Sequence, residues 1–329
     1  MSFDHSISRR SVFKGAGGLA VASALGTGAA LGANTPAHAA GLDVVEHQTY
    51  GRMEYYKVST PSIAWKPRVN VLLPDGYDSG RRYPVLYLLH GGAQNFMKFD
   101  KEDDIRGLTA GRDLIVVMPD GGIAGWYCNP VTANLGPRNW ETFHIEELIP
   151  WVDATFRTFP EQAGRAVSGF SMGGFGALKY NAKYSNYFAS VSAHSGPANL
   201  RSHNYAVVRW ANVSSALVEL GGGTIYGAPK PFWRQDLISA DNPMENLESY
   251  RNKRIFLVSG NNMDIINFQI IGIISSALNE HFVRETQREF TAALDSAGIK
   301  YERFEEPGGH IIRPERLQQD IDGIVAHIH

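Results

Sequence analysis

The chain alternates between short apolar runs and longer stretches with an apolar residue every three or four positions. Pro84-Val85-Leu86-Tyr87-Leu88-Leu89 is apolar throughout, as expected of a strand covered on both faces. Residues 114–118 repeat that pattern, and residues 165–168, 189–193 and 254–259 read as further strands. The first two runs stop in glycine loops, His90-Gly91-Gly92 and Pro119-Asp120-Gly121-Gly122. Such loops predict a ligand site above the carboxyl ends of the strands of an open α/β sheet. Upstream, residues 54–58 and 69–73 predict antiparallel strands at one edge, the second closed by Pro74-Asp75-Gly76.

Between Thr142 and Phe156, Ile145, Leu148, Ile149, Val152 and Phe156 make a helical stripe, which Pro150 should kink. Helices are also expected after the 165–168 strand, over about 273–296, and at the end of the chain, behind a strand at 301–305. Residues 199–250 lose sheet periodicity and carry Gly221-Gly222-Gly223, Pro229, Pro231 and Pro243. That predicts a long irregular insertion serving as cap or substrate-binding excursion. Its Trp210, Tyr226, Phe232 and Trp233 either face substrate or anchor the insertion to the sheet, and the pattern favours neither. The whole is an α/β pattern: a mostly parallel central sheet with helices on both faces and one long excursion.

Composition narrows the class. With 329 residues, 43% of them hydrophobic, and a formal net charge of −2, the chain has no basic footprint for nucleic acid. The single cysteine, Cys128, excludes an internal disulfide and any multi-cysteine metal site. Its place after the 114–118 strand puts it near the rim of the expected pocket. At the start, Ser8-Arg9-Arg10-Ser11-Val12-Phe13-Lys14 precedes a weakly apolar run rich in Gly and Ala, then Ala37-His38-Ala39. This reads as a twin-arginine export signal over residues 1–39, leaving one domain over 40–329 with no membrane-spanning stretch.

The chemistry centres on Gly169-Phe170-Ser171-Met172-Gly173-Gly174, which follows a strand and opens a helix. It fits the G-x-S-x-G turn that holds a serine hydroxyl above a helix N-terminus. A serine hydroxyl needs a base, and His310, behind Pro307-Gly308-Gly309 and after the last strand, stands where that fold puts its histidine. His281, His327 and His329 lie on helices or at the terminus and read as surface residues, and His194 reads as structural more readily than catalytic. For the acid that orients the base, Asp264 occupies the generic position after the 254–259 strand, whereas Glu280 looks like a helix-surface carboxylate. Spacing leaves the two open. The oxyanion hole needs two backbone donors, expected to be Met172 N–H and Gly92 N–H, with Gly91 or Ala93 as alternatives. Neither cofactor nor metal is required.

Residues from about Tyr83 to His310 resemble the esterase D-like α/β hydrolases, and within them the antigen 85 mycolyltransferases. Trp140-Glu141-Thr142-Phe143, Ser171-Met172, Tyr226-Gly227, Trp233, Asn242-Pro243-Met244 and Val258-Ser259-Gly260-Asn261 carry the likeness. Glu280-His281-Phe282-Val283-Arg284 is similar to the segment that supplies that family's acid. The resemblance therefore implies an α/β-hydrolase fold with Ser171, Glu280 and His310 as catalytic triad, Glu280 replacing Asp264. It further implies an exported enzyme acting on acyl esters or lipids through an acyl-serine, with water or a sugar hydroxyl as acceptor. A non-catalytic secreted surface protein of the same fold is the alternative. Two departures bear on the acceptor. His90-Gly91-Gly92-Ala93 stands where those mycolyltransferases carry an Asp-Gly-Leu/Met-Arg loop, and Ile311-Ile312 where they carry Ser-Trp, so their sugar-binding groups are missing.

Overall fold

The computed structural model describes residues 41–227, 230–261 and 276–329. Nine strands form one sheet in the order β1-β2-β3-β5-β4-β6-β7-β8-β9. They are β1 (Asp43–Tyr50), β2 (Met53–Ser59), β3 (Arg68–Leu72), β4 (Val85–Leu89), β5 (Ile115–Pro119), β6 (Arg165–Phe170), β7 (Ser190–His194), β8 (Arg254–Gly260) and β9 (Glu302–Glu306). From β5 to β9 every neighbouring pair is parallel, while β1, β2 and β3 add an antiparallel edge, as the apolar pattern predicts.

The continuous apolar runs have a direct cause. Along β4, Val85, Tyr87 and Leu89 enter one core and Leu86 and Leu88 the other, so each sheet face is covered. The helices are α1 (Lys98–Glu102), α2 (Ile105–Leu108), α3 (Trp140–Thr142), α4 (Ile149–Thr155), α5 (Met172–Lys183), α6 (Ser202–Val218), α7 (Gln235–Asp241), α8 (Ser276–Ser296) and α9 (Pro314–His327). Buried residues of α4, α5 and α8 pack in the first core, those of α1, α2 and α9 in the second. The fold is that of the α/β hydrolases. None of the described helices is long and apolar enough to cross a membrane.

Pro150 acts differently from the expected kink. A π-helical stretch, Phe143–Leu148, joins α3 to α4, and Pro150 falls in the first turn of α4. Proline has no N–H, and its ring crowds the carbonyl four residues back; a widened turn just upstream is one way to relieve both problems.

The insertion is not irregular as expected. Much of it is helical, in α6 and α7, with short 3-10 turns at Pro243–Glu245 and Leu247–Tyr250. Three consecutive left-handed residues, His203, Asn204 and Tyr205, open it at φ of 49°, 54° and 62°. The helical period of α6 is masked in the sequence because the helix is apolar on two sides. Val207, Val208 and Ala211 are buried, while Val213, Leu217 and Val218 are exposed. The insertion is fastened to α5 through the buried Asp241, which Lys183 Nζ reaches at 3.1 Å and the buried Lys179 Nζ at 3.9 Å. Tyr226 and Trp233 are buried anchors, Phe232 is exposed, and Trp210 lines the cleft, so the aromatics divide between the two expected roles.

Candidate active site

Ser171 leaves β6 with φ 56° and ψ −118°, a conformation unfavourable for a residue with a Cβ. Close packing enforces it. A Cβ on Gly169 would fall on the Gly173 carbonyl, and one on Gly173 would fall on the carbonyl of Leu89 in β4. The Ser171 N–H donates to the His194 carbonyl at 2.8 Å, tying the turn to β7.

His310 reaches this serine from the loop between β9 and α9. Its Nε2 lies 2.7 Å from Ser171 Oγ, and its Nδ1 lies 2.6 Å from Glu280 Oε2. The Arg313 guanidinium holds that loop by donating to the carbonyls of Ile311, Pro307 and Gly309 at 3.0, 3.3 and 3.2 Å. Glu280, on α8, is 0% exposed rather than on the helix surface, contrary to what its pattern suggests. Its Oε1 accepts the Ser195 hydroxyl at 3.0 Å and the Gly260 N–H. The carboxylate therefore has donors on both oxygens, which keeps an ionised group tolerable inside the protein. Asp264, the other acid weighed, lies outside the described residues.

The donor loop can be read from its hydrogen bonds. Gly91 N–H donates to Gln94 Oε1 at 2.9 Å, and Ala93 N–H to the Ile123 carbonyl at 2.8 Å. Among the described residues, nothing accepts the Gly92 N–H, and Gly92 lines a cavity together with Ser171, Met172 and His310. Met172 begins α5, where main-chain N–H groups have no helical partner. Buried His90 steadies the same loop. Its Nε2 accepts the Gly121 N–H at 2.9 Å, so the ring proton sits on Nδ1 and bonds the Gly91 carbonyl at 2.8 Å. Burial lowers the pKa of this imidazole, favouring the neutral form.

Two apolar cavities of about 350 and 330 Å³ meet at Ser171 and share Trp126, Met172, Trp210, Val213 and His310. One extends past Pro197, Val207, Phe282 and Val283, and the other past Gly92, Ile123, Leu217 and Val218. Among the described residues, no three His, Cys, Asp or Glu side chains group as a metal site.

Other residues singled out from the sequence lie elsewhere. Cys128 is not at a pocket rim: it is 1% exposed, with Sγ 3.1 Å from the Trp126 carbonyl and 3.6 Å from Asp241. Burial pushes its thiol up to about 12, so it is an inert core group. Its neighbour Trp126 takes the rim position instead. His194 turns from the serine to Asp320, at 3.0 Å. His281 sits 3.2 Å from Arg284, and His327 ends α9. Sequence reasoning missed Ser195 and Arg313. Ser195 directly follows a strand end, a position that could have marked it.

Comparison with known proteins identifies the family and the fold. The Esterase family matches residues 60–328. Esterase Rv1288 of Mycobacterium tuberculosis is 56% identical over 292 residues, 88% of this chain; the chain spans only 62% of that relative's length. Mycobacterium tuberculosis MPT51 (FbpC1) is similar in fold, with a TM-score of 0.65 at 21% identity over 86% of this chain and 99% of that one. An S-formylglutathione hydrolase from Agrobacterium tumefaciens gives 0.65 at 15% identity, over 87% and 100%. On the family match, which spans β3 to β9 and the whole constellation around Ser171, the chain belongs to the Esterase family.

Proposed function

We propose that the protein is a serine esterase for esters with apolar acyl groups. Ser171 Oγ attacks the ester carbonyl while His310 Nε2 takes its proton, and Glu280 orients and steadies the resulting imidazolium. The Met172 and Gly92 N–H groups hold the oxyanion of the tetrahedral intermediate. As the intermediate collapses, the C–O bond to the alcohol breaks and His310 returns the proton to the departing oxygen. Water, deprotonated by His310, then attacks the acyl-Ser171, releasing the acid and restoring the serine. The observation that carries this reading is the unbroken run of hydrogen bonds from Glu280 through His310 to Ser171 at the meeting point of two apolar cavities. The same run argues against a non-catalytic surface protein.

Acyl transfer to a sugar hydroxyl is the second reading, supported by the antigen 85-like motifs. The wall beside Gly92 favours hydrolysis, because Ile123, Ala124, Val213, Leu217 and Val218 offer a sugar no side-chain hydrogen bonds and the polar Trp126 and Ser214 beside them are bonded to each other at 2.9 Å. Product analysis with a long-chain donor, with and without trehalose, separates the two. The twin-arginine segment supports export of a single domain beginning at Ala40, for which N-terminal sequencing of the secreted protein is the check. Purified protein should hydrolyse p-nitrophenyl butyrate, and Ser171→Ala should lower kcat by about 10⁶-fold. Turnover surviving that substitution would remove Ser171 from the mechanism.

A further inference from the structure

The peptide group between Ile123 and Ala124 is gripped at both ends. Its carbonyl accepts the Ala93 N–H at 2.8 Å, and its N–H donates to Glu219 Oε2 at 2.5 Å. Ala93 has φ 59°, a left-handed conformation that a residue with a Cβ keeps only where its surroundings insist. The next residue back is Gly92, whose N–H is unclaimed by any acceptor among the described residues. We infer that Glu219 is a positioning residue for the oxyanion hole, acting through the Ile123–Ala124 peptide to hold Ala93 and so aim the Gly92 N–H. The inference rests on the esterase reading and extends it to a residue that touches no reacting atom.

The chemistry of the contact fits this role. A carboxylate accepting an amide N–H polarises that amide, and the carbonyl on its far side becomes a better acceptor. The bond to Ala93 is therefore stronger with a charged partner at Glu219 than with a neutral one. Glu219 is only 6% exposed, and the cation that acts on it, Arg138, does so through its charge rather than through an ion-pair contact. Burial pushes its carboxyl above the usual range, helped by the charge of Asp120, with the Ala124 N–H, the Arg138 guanidinium and the Trp140 indole opposing that rise. Arg138 is itself 0% exposed, with its Nε and Nη1 unpartnered. An incompletely paired buried carboxylate destabilises a fold, so its place against this loop calls for a role beyond stability. The backbone makes room for it: Gly122 has φ 74°, and a Cβ there would overlap the Glu219 carboxylate. Glu219 directly follows α6, whose Trp210 and Val213 line both cavities. The wall that meets the substrate and the brace behind the oxyanion donor thus belong to one segment of the insertion.

The test is steady-state hydrolysis of p-nitrophenyl butyrate by Glu219→Ala and Glu219→Gln, with kcat counted per site labelled by a fluorophosphonate. Glu219→Ala should lower kcat by about 100-fold, the loss of an oxyanion donor, with KM within about threefold. Glu219→Gln keeps an acceptor but not the charge and should recover part of the rate. In both, the inhibition constant of a trifluoromethyl ketone, which forms an oxyanion on Ser171, should rise by the factor by which kcat/KM falls. A role confined to stability would lower the labelled fraction and leave rate per site and ketone affinity unchanged. Rates per site within twofold of the parent in either variant overturn the inference, as does a loss expressed wholly in KM. Should Glu219→Ala not fold, the isosteric Gln variant decides alone. Failure of the esterase reading looks different: Ser171→Ala would then keep its turnover.

Discussion

Among the described residues, two of the histidine–carboxylate pairs, His310–Glu280 and His194–Asp320, form near the carboxyl ends of the strands, and of these two only the first stands beside a serine hydroxyl. His310 and Glu280 lie 2.6 Å apart, and His194 and Asp320 lie 3.0 Å apart. The difference is in what surrounds each pair. The far nitrogen of His310 meets Ser171 Oγ, whereas His194 Nδ1 is buried without a partner. Besides His310, Glu280 is bonded to the Ser195 hydroxyl and the Gly260 N–H, both neutral, and Arg313 acts on it through its charge without an ion-pair contact, so more of its charge remains to stabilise an imidazolium. Asp320 is shared among Ser168 at 2.9 Å, Ser192 at 2.6 Å and the Arg254 guanidinium at 2.7 Å. Much of its charge is already answered by arginine. A histidine beside a carboxylate becomes a base only with a nucleophile at its other nitrogen, a cavity, and an acid not neutralised elsewhere.

Replacing each acid by its amide should break the two pairs in opposite ways. Glu280→Gln should lower kcat by about 10⁴-fold with little change in unfolding midpoint, since the amide keeps the shape but reverses the hydrogen-bond preference. An effect below about tenfold would restore Asp264 as the acid. Asp320→Asn should leave kcat per active site within about threefold but destabilise the fold by about 3–5 kcal/mol, by leaving buried Arg254 with only the exposed Glu302 at 3.5 Å as a charged partner. Denaturant unfolding of both variants, alongside site-titrated kinetics, measures this crossing of effects.

A smaller effect sharpens the same contrast. Burial alone would raise the pKa of Asp320, but the hydrogen bond and charge of His194 and the charge of Arg254 outweigh it and hold the carboxyl below its usual range. A depressed folded pKa means the unfolded chain binds the proton more readily, so folding gains stability above the unfolded value of about 4. That stability is lost as pH falls below about 4 toward the folded value. The stability gap between parent and Asp320→Asn should therefore narrow from pH 5 to pH 3. A gap independent of pH would show that Asp320 contributes by packing alone.

What the sequence revealed and what it hid follow from how local each feature is. Strands β4 and β5 are legible because covering both sheet faces forces apolar residues at every position. The Ser171 turn is legible because a crowded backbone leaves room only for glycine at positions 169 and 173. His310 follows from chain order. Glu280 does not, because its burial depends on β7, β8 and the His310 loop meeting α8, none of which marks its own segment; resemblance singled it out where periodicity could not. The helix α6 was hidden because it meets protein on one side and the cleft on the other. Cys128 lies two residues from the rim position held by Trp126, the difference between a rim and a core in a loop with left-handed residues at Trp126 and Tyr127.

The glycine seam beneath the nucleophile has one further consequence. Gly173 rests on the end of β4, and a Cβ on Gly174 would come within 2.8 Å of the Gly196 Cα, so the start of α5 has no slack in which to tilt or slide. Any adaptation to bulkier or slimmer substrates must then be absorbed by the walls, above all by residues 202–250. Evolution could redraw the cleft-facing side chains of that portion repeatedly while the serine, and the Glu219 and Asp241 contacts behind it, stay where they are.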